Sequence, residues 1–289
     1  MDVVFNQLFS GLSMASILLI IALGLAIIYG SMGVINLAHG EFVMLGAYTT
    51  WALQNYLGFG IIVSLPLVFL AVAAIGWIIE RAIVQRLYKR PLDTILATWG
   101  IGIMLQQAVR IIIGPESLFV KGPDFLRGNI EIGNVVMSNY RIFIILFSVA
   151  VLLVTWALLT RTEFGTKLRA IIQNRKISEC YGIESGRIFS LTFAYGAGLA
   201  GIAGALITPL FSTIPTMGTS LVVDAFLVVI IGGLGSLIGA ATAAVMIGEA
   251  TALFSLVMND TLGRIAVLAC VILLIRLRPR GLFPENTRG

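Results

Sequence analysis

The chain has 289 residues, 58% of them hydrophobic and 11% charged, with a mean hydropathy of +1.01. Soluble domains carry about 25% charged residues, so this composition excludes an ordinary soluble domain and reads as a polytopic membrane protein. The net charge of +5 and pI of 9.5 do not indicate a nucleic-acid binder, because the basic residues sort into loops.

Taken in chain order, apolar runs long enough to cross a bilayer fall near 8–30, 41–57, 61–79, 93–113, 141–160, 188–210, 220–238, 239–258 and 262–277. About 20 residues make one spanning helix. The expected fold is therefore all-α, a single transmembrane bundle over 1–289 with about eight to ten spans and broken or re-entrant helices. Asp2 follows Met1 with no basic stretch before the first apolar run, so no cleavable leader is expected. Cys180 and Cys270 fall in a charged loop and an apolar run, which fits neither a disulfide nor a metal pair.

Three regions hold most of the Lys and Arg. They are 80–92 (Arg81, Arg86, Lys89, Arg90), 161–187 (Arg161, Lys167, Arg169, Arg175, Lys176, Arg187) and the tail (Arg276, Arg278, Arg280, Arg288). The runs put all three on one side, which the positive-inside rule makes cytoplasmic, with the C-terminus. The opposite loop, 114–140, is mixed in charge: Glu116, Lys121, Asp124, Arg127 and Glu131.

Glu41 is the only fully charged residue between Val3 and Ile79, and His39 is the only histidine. A carboxylate at membrane depth is costly and as a rule faces a bundle interior or polar cavity. The run Asn36-Leu37-Ala38-His39-Gly40-Glu41 is thus the first candidate for function. Glu41 either caps the next helix through backbone N–H groups or meets the solute; the sequence leaves both open. An irregular backbone at Gly40 would let His39 and Glu41 face one cavity. Thr98, Gln106, Gln107, Asp224 and Glu249 are the other intramembrane polar candidates for a path or gate. Paired breaks in two halves of a chain point to a transporter's substrate path, and Gly30–Gly40 pairs in this way with Gly232–Gly235. Gly196, Gly198, Gly201 and Gly204 read as helix-packing residues.

Residues 161–187 are too ordered in composition for a linker. Thr166 is the expected cap of a helix ending at Gly182, with Leu168, Ile171 and Ile172 on one apolar face. Such a helix can dock into a groove of a soluble partner.

Gly33 to Phe42 (Gly-Val-Ile-Asn-Leu-Ala-His-Gly-Glu-Phe), Gly165 to Asn174, Gly182-Ile183 and Ile231 to Ser236 together resemble the permease subunits of branched-chain amino acid type ABC importers. Within that family, Asp93 to Ile101 and Gln106-Gln107 resemble the urea-type permease. The resemblance implies a path for a small polar solute, urea first and a branched-chain amino acid as the alternative. It implies a second homologous permease subunit in a heterodimer, two cytoplasmic ATP-binding subunits and an external solute-binding protein, in a bacterial inner membrane. It makes Gly165, Leu168, Arg169, Ala170, Ile171, Asn174 and Gly182 the coupling residues. The loop departs from the family pattern at Ile177-Ser178-Glu179-Cys180. The chain has no Gly-x-x-x-x-Gly-Lys-Ser/Thr loop. ATP is therefore expected on the partner subunits, and no cofactor and no enzymatic activity are expected here. Two other classes compete: a passive small-solute channel, which has no use for loop 161–187, and an intramembrane serine protease built on Ser236 and His39.

Overall fold

The computed structural model describes residues 2–132, 135–278 and 281–283. The chain is an all-α bundle. Its helices are α1 (Asp2–Met32), α2 (His39–Leu57), α3 (Ile61–Ala82), α4 (Pro91–Ile112), α5 (Asn139–Arg161), α6 (Glu163–Gln173), α7 (Arg175–Cys180), α8 (Ser185–Ile207), α9 (Met217–Gly232), α10 (Leu237–Val257) and α11 (Asp260–Leu277). A short antiparallel hairpin, β1 (Asn129–Ile132) with β2 (Val135–Ser138), interrupts them. Among the described residues, six helices are long and apolar enough to cross a membrane: α1, α3, α4, α5, α8 and α10. The apolar α9 is shorter. Every run read from the sequence falls on a helix, except that 220–238 runs on through the turn between α9 and α10; 129–138, which carries no helical expectation, is the hairpin.

Two ends of the bundle are defined by contacts. At one end Asn6 Oδ1 accepts from Val136 N–H at 3.1 Å, and Gln54 Nε2 donates to the Lys121 carbonyl at 2.9 Å. Leu118 also pairs with Thr213 there. At the other end Met32 packs on the apolar cluster of Leu168, Ile171, Ile188 and Phe189, and Leu282 N–H donates to the Ile231 carbonyl at 2.7 Å. Regions 80–92 and 161–187 meet at this second end, where Gln85 abuts Gly186. The tail residues Arg276 and Arg278 are exposed, and α11 carries them to the same basic end. Arg280 and Arg288 lie outside the described residues. Cys180 and Cys270 are free and exposed.

The core is α1 and α8, buried along most of their lengths, as helices apolar on all sides require. They touch backbone to backbone. A Cβ at Gly24 would lie 2.5 Å from the Gly196 carbonyl oxygen, and one at Gly196 would lie 2.7 Å from that of Gly24. The same reciprocity recurs where α2 and α9 begin: Gly40 and Gly218 each pack on the other's carbonyl. α3 lies along α8 and α10 lies along α1. These reciprocal contacts relate α1–α3 to α8–α10 by a pseudo-twofold. The two trios run in opposite directions, α1 towards the basic end and α8 away from it, which is an inverted repeat.

This repeat corrects the pairing expected from sequence. The counterpart of the break at 33–38 is the break at 208–216, since each precedes the helix that begins at the Gly40–Gly218 contact. Gly232–Gly235 instead forms the α9–α10 turn, with Gly233 at φ 102° and Ser236 capping α10 by accepting from Gly239 N–H at 3.1 Å. Gly196, Gly198, Gly201 and Gly204 do pack closely, on α1, Phe69, Val72 and the Val43 carbonyl.

Packing this tight sets opposite outcomes for two glycines. Gly46→Ala drives a methyl into Gly201 and lowers stability by about 1–3 kcal/mol, the usual cost of overpacking. Gly100→Ala, in a helix with open space around it, raises stability by about 0.5–1 kcal/mol. Thermal unfolding of the purified chain reads both.

Candidate functional site

The break after α1 is built by its own residues. Gly33 ends the helix at φ 66°, where a side chain would be strained. The chain then runs without regular structure to Asn36, whose Oδ1 accepts from Ala38 N–H at 3.1 Å while its carbonyl accepts from His39 N–H at 3.2 Å. Thr98 of α4 accepts from Leu37 N–H at 3.1 Å and donates to the Ile95 carbonyl. Asn36 and Thr98 are fully buried. They fold the break and pin it to α4. Asn36 Nδ2 has no partner among the described residues.

His39 and Glu41 diverge from there. His39 is fully buried, and its Nε2 lies 3.0 Å from the Ile21 carbonyl of α1. The carbonyl only accepts, so Nε2 carries the proton. The ring also packs edge-on against Phe42. His39 is therefore a packing residue against α1, and the expectation that it shares a cavity with Glu41 is corrected.

Glu41 turns towards α4 and α9. Its Oε1 accepts from Gln106 Nε2 at 2.7 Å, and the same amide nitrogen lies 3.1 Å from Thr219 Oγ1. Its Oε2 is buried without a partner among the described residues and would lie 2.9 Å from a Cβ at Gly218. Glu41 accepts no backbone N–H among the described residues, so it is not the cap of α2. It does sit in the first turn of α2, where the helix dipole favours a carboxylate.

The cluster lies at mid-depth. His39 is level with Gly24 and Gly196, and Gly196 is about half-way along α8. Both α2 and α9 thus begin inside the bundle, and both lack a side-chain cap, with Ala38 and Thr216 at the N-cap positions. Two uncapped positive helix ends and one carboxylate converge on a polar patch of Glu41, Gln106 and Thr219. Thr219 and Ser220 are exposed beside it.

The remaining sequence candidates lie elsewhere. Gln107 is exposed, one residue round α4 from Gln106. Asp224 is half-buried further along α9, with Arg264 of α11 as its cationic neighbour. Glu249 lies on α10 against Gly11 of α1, its Oε2 unpartnered among the described residues. None of these three joins the Glu41 cluster. Thr219 carries no signal of its own in the sequence, although the broken stretch Pro209 to Gly218 between two apolar runs marks its place. Ser236 caps α10 at the basic end while His39 is at mid-depth, so no Ser–His pair is assembled.

At the basic end, loop 161–187 forms two helices rather than one. Thr162 caps α6, accepting from Gly165 N–H at 3.3 Å; Thr166 instead lies within α6. Asn174 ends α6 in extended conformation and caps α7 by accepting from Ile177 N–H at 3.1 Å. Gly182 follows α7 at φ 81°. Gly165 packs on the Leu159 carbonyl, and Arg169 donates to that same carbonyl. Leu168 (4% exposed) and Ile171 (2%) bury against Ile188 and Phe189 of α8. The apolar face thus packs onto the chain itself. Ile172 (43% exposed), expected on that face, lies outside with Ile177 (55%) and Tyr181 (84%). Arg175 joins α7 to α8 through Glu179 and Ser185, each at 2.9 Å. Hydrogen bonds from Ser185 and Arg175 hold the Glu179 carboxyl below its ordinary pKa.

An inverted-repeat helix bundle with breaks meeting at mid-depth is the architecture of a membrane transport subunit. The comparisons with known proteins agree. Residues 7–275 match the family described as branched-chain amino acid transport system / permease component, and the chain belongs to that family, whose members are permease subunits of ABC transporters rather than enzymes. It is 31% identical over 292 residues to the high-affinity branched-chain amino acid transport system permease protein BraD of Pseudomonas aeruginosa, covering 96% of this chain and 94% of that one. It is 30% identical over 295 residues to the permease protein LivH of Escherichia coli K12, with 96% and 94% covered. To LivM of Salmonella typhimurium it is 29% identical over 304 residues, with 94% and 69% covered. No solved structure matches. Membership sets aside the passive channel, and nothing in these matches points to the urea subtype.

Removing the donor to Glu41 tests the cluster. Gln106→Leu lowers stability by about 1–3 kcal/mol by leaving a buried acceptor unpaired, while Gln107→Leu changes it by no more than about 0.5 kcal/mol. Thermal unfolding in detergent separates the two.

Proposed function

We propose that the chain forms part of the translocation path of an importer for a branched-chain amino acid, with the Glu41–Gln106–Thr219 cluster as its mid-depth polar station. The observation that carries this is a carboxylate set between two uncapped helix N-termini. A zwitterion suits that pattern. The unpartnered Glu41 Oε2 is the acceptor for an α-ammonium, and the positive ends of α2 and α9 are donors for an α-carboxylate. No Lys or Arg is needed. A neutral solute such as urea would use neither charge. The names of the relatives, all of branched-chain amino acid systems, support the same choice.

The basic end is read as cytoplasmic. The exposed apolar side chains Ile172 on α6, Ile177 on α7 and Tyr181 just after α7 form the docking face for an ATP-binding subunit. Gly165, Leu168, Arg169, Ala170, Ile171, Asn174 and Gly182 build the rigid mount beneath it. A second, homologous permease subunit and an external solute-binding protein complete the importer, as the resemblance to both LivH and LivM supports.

Reconstituted with its partner subunits and binding protein, the importer takes up labelled leucine with ATP and ignores labelled urea; uptake of urea in place of leucine overturns the proposal. Glu41→Gln lowers leucine uptake by about tenfold or more, the worth of one charge-assisted hydrogen bond, without loss of assembly. On the docking face, Ile177→Asp with Tyr181→Ala removes co-purification of the ATP-binding subunit while the permease still folds. Leu168→Asp instead lowers the stability of the permease itself, because it buries a charge against Phe189.

A further inference from the structure

We propose that a cavity at the basic end of the bundle holds the headgroup of an anionic phospholipid. The cavity measures about 670 Å³ and lies between the last turn of α3 and the first turn of α8. It is separate from the Glu41 cluster and is not used by the transport reading.

Two cations line it, Arg81 and Arg187. Both are exposed, and neither forms an ion pair among the described residues. The Arg81 guanidinium stands 5.4 Å from the centroid of the Trp77 ring. A stacked guanidinium keeps its in-plane N–H groups free for the oxygens of a phosphate. The Gln85 amide rests against Gly186 on the cavity wall, where any side chain would displace it. It supplies a neutral donor beside the two charges. α8 starts at this wall without a side-chain cap, so its positive end adds to theirs.

The apolar part of the lining identifies the source of the phosphate. Trp77 and Leu191 continue the cavity along α3 and α8, away from the basic end and into the bundle's apolar belt. Trp77 is 39% and Leu191 45% exposed. A cationic mouth followed by an aromatic and an aliphatic side chain matches, in order, a headgroup and the start of its acyl chain. Basic pockets between membrane helices are a recurrent form of lipid-headgroup site. Glu184 is the one carboxylate in the lining; it opposes an anion and sets a ceiling on affinity.

The test uses the full-length chain purified in detergent, titrated with phosphatidylglycerol or phosphatidylcholine, with bound lipid counted by native mass spectrometry. Phosphatidylglycerol is retained better by about tenfold or more, the effect expected of two arginines near an anionic surface. Arg81→Gln with Arg187→Gln abolishes the preference, and the corresponding double change to Lys keeps part of it. Arg276→Gln, a basic residue of the same end outside the cavity, leaves it intact, and Glu184→Gln strengthens it. Millimolar inorganic phosphate does not displace the lipid. Equal retention of the two lipids overturns the proposal. So does a preference that survives the double Gln variant, or release by inorganic phosphate. If the double Gln variant keeps its lipid preference but loses the ATP-binding subunit, the cavity is a protein interface and the proposal fails. Thermal unfolding of each variant confirms that the comparison is between folded proteins.

Discussion

Everything in this bundle depends on backbone meeting backbone without side chains between. In a membrane, apolar burial does not by itself draw one helix to another, because lipid is as apolar as leucine. Close van der Waals approach does more of the work, and it needs glycine at the crossings. α1 and α8 cross at Gly24 and Gly196, α2 and α8 at Gly46 and Gly201, and α2 and α9 at Gly40 and Gly218. The first of these sets the axis of the inverted repeat. The last sets the place where two helices begin at mid-depth, beside Glu41.

That placement makes chemistry out of geometry. A helix that begins in the membrane presents its unsatisfied amide end to whatever lies there. Two such ends would repel each other without a compensating charge, and Glu41 stands in the first turn of one of them. Gln106 and Thr219 then tie the carboxylate to α4 and α9. α4 touches the rest of the bundle mainly through α2 and the turn that precedes it. The polar cluster is consequently one of few bonds holding that helix to the core. The carboxylate proposed to meet the solute and the tie that positions α4 share the same atoms.

The helices were legible because each is a long apolar run, and run length survives any tertiary context. The importance of Asn36 to Glu41 was legible because a carboxylate in apolar sequence is costly. What was not legible depends on partners distant in the chain. His39 reads as polar, but its role is decided by the Ile21 carbonyl on another helix. Thr219 carries no charge and sits among ordinary apolar neighbours, so only the approach of Gln106 singles it out. Thr162 and Thr166 are equally good caps by composition, and the register of α6 on Leu159 selects the former. The pairing of the two breaks is hidden in the sequence for a related reason. Glycine content is the same in a re-entrant segment and a tight turn, and only the direction of the following helix distinguishes them.

The contact between Gly40 and Gly218 has one more consequence. A contact made of side chains can slip, because rotamers change and methyl groups slide past one another. Two peptide groups pressed together have no such freedom. Any movement between the two halves of the repeat that parts these two backbones therefore also alters the walls around Glu41, the next residue along α2.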